Sequence, residues 1–318
     1  MDAQRRWRLL GAVGLVVAAV SYAVPSSYVL GILVFVALNG LAALGLSLVM
    51  GFAGQVSLGQ AAFFAIGAYA SGLFSTGLGW NPWLGVVAAV AAGAVAAVAI
   101  GLPVFRLSGL LLAMATLGFG VIVYYVLNNW AAVTGGPSGL TGIPPLSVGG
   151  IAIDTDARAL VLVGFVLLLA LGLAGNLVDS RVGRALRAIH GSEAAAASAG
   201  IDVMRLKLAV FAAAGGLTAL AGALYAHYVR FINPSPFGIG YSIELVVMVV
   251  LGGVSSLPGA VLGAAAVVLL VEALRALVPA LGASHGAAEY EIVLFGLVLM
   301  AFMIFLPGGL AGGRRRAA

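Results

Sequence analysis

The sequence predicts an all-α, polytopic integral membrane protein with about 8–10 transmembrane helices, and two observations support this. Of the 318 residues, 63% are hydrophobic and only 8% are charged, whereas about a quarter of the residues of a soluble globular protein are charged. The hydrophobic residues also form runs close to the roughly 20 residues that a helix needs to cross the bilayer. Such runs must be helical, because a helix satisfies its own backbone hydrogen bonds in lipid.

Nine apolar runs follow one another along the chain, separated by short polar or glycine-rich segments. The predicted runs are 9–24, 28–50, 61–78, 83–104, 110–129, 160–178, 208–228, 243–278 and 292–306. The first follows three arginines, and we interpret it as a short span that starts in the cytoplasm; a secretory signal segment is the alternative. The eighth run is too long for a single span.

Local signals support the spans in order along the chain. Trp80 and Trp83 lie at the start of the fourth run, where aromatic side chains anchor a helix at the membrane interface. Arg106 lies in the short turn between the fourth and fifth runs. Residues 134–145 are rich in glycine and proline and predict a true loop. The segment 130–158 is therefore predicted to lie outside the membrane.

Two glycine-containing segments interrupt apolar runs and predict discontinuous helices. One extends from Gly51 to Gln60 and the other from Gly252 to Gly259, and their sequences resemble each other. In transporters, helix breaks at corresponding positions of two halves lie beside the substrate path. Ordinary glycine-rich turns are the alternative interpretation. The candidate polar groups of a path are Gln55, Ser57, Gln60, Ser255 and Ser256.

Residues 179–207 form the one long charged segment between apolar runs, with five basic residues against three acids. Basic loops remain in the cytoplasm. If each run crosses once from a cytoplasmic N-terminus, the charged segment is cytoplasmic and 130–158 is external. The overlong run 243–278 must then cross twice, giving ten crossings, or enter and return, giving eight crossings plus a re-entrant hairpin. Either route places the C-terminal arginines in the cytoplasm.

The charged segment contains a short helix that we predict to dock onto another protein. Ser192 is a good N-cap and Glu193 places an acid in the first turn. An alanine run follows, and Gly200 can adopt the left-handed conformation that ends a helix. A helix of this length with small side chains on every face is marginal by itself. Before it, Arg181, Arg184 and Arg187 recur at every third position along one side of a helix.

Several function classes are excluded by composition and motifs. The chain has no cysteine, which excludes a disulfide framework and a thiolate metal site, and its three scattered histidines predict no metal site of any kind. Its single lysine, Lys207, follows a leucine, so there is no Walker A loop and no ATP hydrolysis by this chain. No catalytic triad is present. The net charge of +5 orients membrane helices and does not indicate nucleic-acid binding.

Four segments resemble proteins of a known family. Glu193-Ala194-Ala195 followed by Gly200-Ile201 resembles the EAA loop of importer-type ABC permeases, although Gly200 lies one position later than in the general pattern. Residues 51–67, 134–145 and 251–263 resemble the branched-chain amino-acid permease family, and the M-type subunit of its two-permease systems in particular. The resemblance covers roughly 30–306, so residues 1–318 are expected to form a single transmembrane permease domain, with 179–207 as its coupling loop.

The resemblance implies an importer subunit of the bacterial cytoplasmic (inner) membrane, with both termini in the cytoplasm, for branched-chain or related hydrophobic amino acids. It implies two cytoplasmic ABC ATPase subunits, a paralogous permease or a second copy of this chain, and an extracytoplasmic substrate-binding protein. ATP and magnesium are expected on the ATPases and no cofactor on this chain. The implied ATPase-coupling residues are Arg184, Arg187, Ser192, Glu193, Ala194, Ala195, Gly200 and Ile201.

Two other functions stay open at this point. A permease of the same architecture could carry urea or short amides, since subgroups of the family are similar in sequence. A secondary carrier or channel that works without an ATPase is the alternative from another class. The lack of a row of acids in the middle of any span, together with the short docking helix, argues against that class.

Overall fold

The computed structural model describes residues 3–280, 296–297, 300, 302, 304 and 308–311, and most of them are helical. The predicted last span, 292–306, lies largely outside the described residues, and the arginines that end the chain lie outside them entirely. The helices are α1 (Ala3–Ala23), α2 (Ser27–Ser47), α3 (Gln60–Gly77), α4 (Pro82–Val104), α5 (Leu110–Asn129), α6 (Ala131–Thr134), α7 (Asp156–Asp179), α8 (Arg181–Gly191), α9 (Glu193–Ser198), α10 (Val203–Val229), α11 (Ile239–Gly252) and α12 (Leu257–Ala280).

Among the described residues, seven helices are long and apolar enough to cross a membrane: α1, α2, α4, α5, α7, α10 and α12. Two further helices belong to the bundle, α3 with 18 residues and the more apolar α11 with 14. These nine helices match the first eight predicted runs in order, with α11 and α12 sharing the run 243–278, and most of the helix ends lie within a few residues of the predicted ones. The predicted all-α, polytopic fold is therefore confirmed.

The centre of the bundle is α10, which packs against α4, α3 and α2. Glycines allow α3 and α10 to touch backbone to backbone. A Cβ on Gly222 would lie 1.9 Å from the carbonyl oxygen of Phe64, and a Cβ on Gly67 would lie 2.0 Å from that of Ala219. Close backbone approach through small residues is how helices associate in lipid, where the hydrophobic effect does not drive them together.

The helix α1 lies at the edge of the bundle and packs mainly on α7. Arg6 forms an ion pair with Asp179 and donates a hydrogen bond of 3.3 Å to Asn176. The start of α1 and the end of α7 therefore lie at the same end of the bundle. We call this the α9 end, because α8 and α9 follow directly on α7.

The opposite end, which we call the loop end, carries the predicted loop 130–158 as a folded segment. Strand β1 (Leu140–Thr141) pairs with β4 (Phe231–Ile232), and β2 (Ser147–Val148) pairs with β3 (Ile151–Ala152), both antiparallel. The buried His227 donates from Nδ1 to the carbonyl oxygen of Pro144 at 2.7 Å, so its Nε2 accepts the Ser71 hydroxyl, also at 2.7 Å. The loop is therefore fastened to α3 and α10.

Both predicted helix breaks are present. The last turn of α2 widens into a π-helix, Leu48–Phe52, and residues 53–59 are not helical before α3 begins. The overlong run divides into α11 and α12 at residues 253–256. These two helices pack against each other as a hairpin. Glu272 in α12 accepts a hydrogen bond from Tyr28 at the start of α2, so α12 leads back to the loop end.

Candidate functional site

The two helix breaks contact each other at the α9 end. Ser255 donates from Oγ to the carbonyl oxygen of Gly51 at 3.4 Å, and Ser47 donates to that of Val254 at 3.2 Å. A Cβ on Gly51 would lie 2.0 Å from the Val254 oxygen, so the contact requires glycine there. The segments that resemble each other in sequence are therefore neighbours in the fold, as expected for paired discontinuous helices.

Four buried polar side chains meet where α3 begins, and we call them the polar cluster: Gln60, Thr116, Thr218 and Ser242. Thr218, near the middle of α10, donates to Oε1 of Gln60 at 2.9 Å. The hydroxyls of Thr116 and Ser242 accept the backbone N–H groups of Leu58 and Ala61, each at 3.0 Å. The cluster holds a non-helical segment and the first turn of α3 inside the bundle, where each backbone polar group needs a partner.

One donor of the polar cluster lacks a partner among the described residues. Nε2 of Gln60 is buried and makes no hydrogen bond to any part of the chain that the structure describes, which costs about 1–3 kcal/mol compared with a paired group. An unpaired buried amide at a helix break is a group that a polar solute could satisfy. Sequence reasoning singled out Gln60 but missed Thr116, Thr218 and Ser242. Thr116 and Thr218 are isolated polar residues within apolar runs, and Ser242 lies just before the run 243–278. Only the packing of four helices brings them together.

The five predicted path residues fall into two sets. Gln55, Ser57 and Gln60 are buried, whereas Ser255 is exposed and Ser256 half-buried. Ser256 accepts the N–H of Gly259 at 3.1 Å and so caps the first turn of α12. The first set therefore lines the interior at the break, and the second lies in the turn of the hairpin. Their part in transport stays a prediction.

The short helix predicted in the charged segment is confirmed as α9. Ser192 caps it by accepting the N–H of Ala195 at 3.3 Å, and Gly200 ends it with a φ of +81°. Ala194 and Ala195 are exposed, whereas Ala196 is buried with 3% of its surface accessible. The helix therefore buries one alanine against the protein and leaves the alanines before it exposed. Ile201, just after it, is half-buried.

The helix α8 before it is amphipathic and holds α9 in place. Leu186 and Ile189 are buried beneath it, and its N-cap, Ser180, accepts the N–H groups of two following residues. Arg187 donates to the carbonyl oxygen of Val178 at 3.1 Å, and Arg184 donates to that of Asp179 at 3.4 Å. Both arginines thus satisfy carbonyls at the end of α7, where positive charge is favourable. The sequence indicated their shared side but not this contact.

Glu193 joins α9 to two other elements. Its Oε1 accepts a hydrogen bond from Nε2 of Gln55 at 3.2 Å and lies 2.5 Å from Nζ of Lys207. Beside it, a cavity of about 260 Å³ is lined by residues of the break, the α4–α5 turn and the α8–α9 connection, including Val56, Gly109 and Ser192. Sequence reasoning used Lys207 only to exclude a Walker A loop and missed this contact.

A comparison with known proteins decides the family. A sequence profile described as "Branched-chain amino acid transport system / permease component" matches residues 28–303, most of the chain. The chain belongs to this family. The resemblance noted in the sequence is therefore confirmed. Membership of a permease family also agrees with the observed polytopic helical fold. No solved structure matches the chain.

Individual relatives show how far the similarity extends. The high-affinity branched-chain amino acid transport system permease protein LivM of Escherichia coli (strain K12) is 32% identical over 290 residues, covering 84% of this chain and 66% of LivM. The chain thus spans slightly less than two thirds of that relative. LivH of the same organism is 25% identical over 294 residues, covering 86% of this chain and 90% of LivH. The ribose import permease protein RbsC of Haemophilus influenzae is 37% identical over only 83 residues, about a quarter of either chain.

Proposed function

We propose that this protein is a transmembrane permease subunit of an ATP-binding-cassette importer for branched-chain or related hydrophobic amino acids. The observation that carries the proposal is α9, a short helix of small residues exposed at one end of a membrane bundle. Such a helix buries too little surface to be stable alone and is suited to insertion into a groove of a partner. The names of LivM and LivH support the substrate class.

The partners in this proposal divide between the two ends of the bundle. A cytoplasmic ABC ATPase subunit receives α9 in a surface groove, and a second ATPase serves a second permease. LivM and LivH both resemble this chain, which supports a paralogous permease as that second subunit; a second copy of this chain is the other arrangement. ATP and magnesium bind to the ATPases. An extracytoplasmic binding protein delivers the amino acid at the loop end.

The translocation step in this proposal uses the helix breaks. The protein lies in the bacterial cytoplasmic membrane with its α9 end inside, and closure of the ATPase pair displaces α9. Gln55, Ser57 and the polar cluster lie between that end and the middle of the bundle. They are uncharged, so they can offer hydrogen bonds to a zwitterionic solute without the desolvation penalty of a buried charge. Repacking at the two breaks then switches access between the two sides.

Reconstitution of the assembled transporter tests this function. The tagged permease is purified from its native membrane, co-purifying proteins are identified, and the assembly is placed in proteoliposomes with its binding protein. We expect two ATPase subunits and a second permease, and uptake of labelled leucine that requires ATP. Uptake of urea or short amides in place of leucine contradicts the substrate class. A protein that purifies alone and moves solute without ATP contradicts the importer assignment.

A further inference from the structure

The only lysine of the chain is buried beneath α9. Lys207 lies in the second turn of α10, and 2% of its side chain is accessible. Its Nζ lies 2.5 Å from the Glu193 carboxylate and 5.7 Å from the ring centre of Phe105. A buried cation without a partner is strongly unfavourable. Lys207 therefore holds Glu193 in one position, whereas an exposed ion pair would contribute little.

The same carboxylate oxygen also reaches the first helix break. Gln55, in the non-helical segment 53–59, donates from Nε2 to Oε1 of Glu193 at 3.2 Å and to the carbonyl oxygen of Ala53 at 3.1 Å. Three elements thus meet at one atom: α9 through Glu193, α10 through Lys207, and the break through Gln55. Only the start of α9 takes part, and 44% of the Glu193 side chain stays accessible.

A second contact joins the same two segments. His190, at the end of α8, donates from Nδ1 to the carbonyl oxygen of Gly51 at 3.1 Å. Gly54 approaches the His190 ring so closely that a Cβ there would lie 3.1 Å from it. The break is therefore attached to the α8–α9 connection at two places, with the 260 Å³ cavity beside them. Beyond the break, the chain enters the polar cluster at Gln60.

We propose that Lys207, acting through Glu193, makes α9 and the break segment 53–59 move as one body. A displacement of α9 then reaches the first turn of α3 and the polar cluster directly. Without the lysine charge, Glu193 is free to turn toward solvent and α9 can move without the break. Lys207 is in this sense a positioning residue for coupling. The inference rests on the proposed function, because it requires a partner that displaces α9.

The first test replaces Lys207 in the assembled transporter. Lys207→Met keeps a long side chain against Phe105 but removes the charge. We expect the variant to assemble with its partners and to hydrolyse ATP. The amount of amino acid imported per ATP should fall by roughly tenfold, the size of effect expected for a residue that carries coupling between sites. Arg205→Met is the matched control, because Arg205 lies two positions earlier, is 88% accessible and pairs with Asp202 at the surface; its import per ATP should not change.

A cross-link gives a measurement whose result would not change if Lys207 only stabilised the fold. Val56 and Gly191 line the same cavity, Gly191 has open space around its Cα, and the native chain has no cysteine. A short bismaleimide joining Val56→Cys to Gly191→Cys fastens the break to the α8–α9 connection. With Lys207 present, the cross-linked protein should keep its import per ATP. In the Lys207→Met background the cross-link should restore it, because it replaces the missing attachment.

The outcomes separate this inference from the proposed function. Loss of import on cross-linking with Lys207 present shows that α9 and the break must move apart, and it overturns the inference alone. Unchanged import per ATP in Lys207→Met, or no recovery after cross-linking, does the same. If the assembly with Lys207 intact shows no uptake dependent on ATP, the proposed function is overturned and this inference with it.

Discussion

At the scale of residues, close backbone contacts place strict limits on side-chain size. The contact between α3 and α10 depends on Gly222, whose Cα faces the backbone of Phe64. No flexible side chain can move aside there, because the obstructing atoms belong to a helix backbone. Overpacking of this kind typically destabilises a protein by about 1–3 kcal/mol.

We expect Gly222→Ala to destabilise the protein by at least about 1 kcal/mol, since the new methyl group would overlap the Phe64 carbonyl. Thermal unfolding of the detergent-purified protein measures this as a lower midpoint temperature. Gly118→Ala in α5 is the control, because apart from the adjoining backbone of its own helix no atom of residues 3–280 lies within 4 Å of the added atom. Equal midpoints for the two variants would contradict the packing described between α3 and α10.

The polar cluster gives a second prediction at this scale. Thr218→Val removes the donor to Oε1 of Gln60. The buried Gln60 amide then lacks a partner among the described residues at its oxygen as well as at its nitrogen. We expect a loss of about 1–3 kcal/mol. The double variant Thr218→Val with Gln60→Leu should be less destabilised than Thr218→Val alone, because it removes the unpaired amide. A double variant whose unfolding midpoint is lower than that of Thr218→Val would contradict this hydrogen-bond assignment.

At the scale of elements, α9 is a helix without a core of its own. Its capping by Ser192 and its end at Gly200 define it locally, while Ala196 is its buried side chain and Glu193 joins it to Lys207 and Gln55. A substitution at Ala196 would disturb that packing and confuse the interpretation. Ala194 and Ala195 are exposed, so they can be enlarged without disturbing the fold of the permease.

The proposed function predicts that Ala194→Arg with Ala195→Arg abolishes co-purification of the ATPase subunits, because two long charged side chains would not fit a groove that receives α9 through small residues. Membrane insertion and unfolding temperature should be unchanged, since neither residue is buried. Val148→Arg, in an exposed strand at the loop end, is the control and should keep the ATPases bound. Normal uptake by the α9 variant would contradict docking through this helix.

At the scale of the whole molecule, α9 and the loop 130–158 lie at opposite ends of the helix bundle. The pairing of β1 with β4 and the contact of His227 with Pro144 place residues 130–155 at one end of the bundle. Arg6, the end of α7, α8 and α9 lie at the other end. A protein with this arrangement in a membrane exposes the two sets of residues on opposite sides.

Cysteine labelling tests this arrangement in the membrane. Ser138→Cys at the loop end and Ala188→Cys in α8 are exposed positions in a chain without native cysteine. A membrane-impermeant maleimide added to intact cells should label Ser138→Cys only, and Ala188→Cys should react only after the cells are opened. Labelling of both positions from outside would contradict the orientation in which basic segments remain in the cytoplasm.

Most of the fold could be predicted from the sequence, because in a bilayer it depends on local properties. A run of apolar residues long enough to cross must be helical, and the two breaks could be located from the glycines and polar residues that interrupt such runs. The signals that predicted α9 were equally local, since its cap, its alanine run and its terminating glycine lie within nine consecutive residues, 192–200. The resemblance to the permease family rested on the same segments together with residues 134–145, and the profile match over residues 28–303 confirmed it.

The tertiary structure alone decided which of these segments meet. No periodicity indicates that Gly51 packs on Val254, that Thr218 pairs with Gln60, or that the single lysine lies beneath Glu193. These contacts join residues far apart in the chain, and they depend on the order in which helices pack around α10. Apolar runs are nearly interchangeable in composition, so sequence determines which segments are helices, whereas close packing of small and polar residues determines their neighbours.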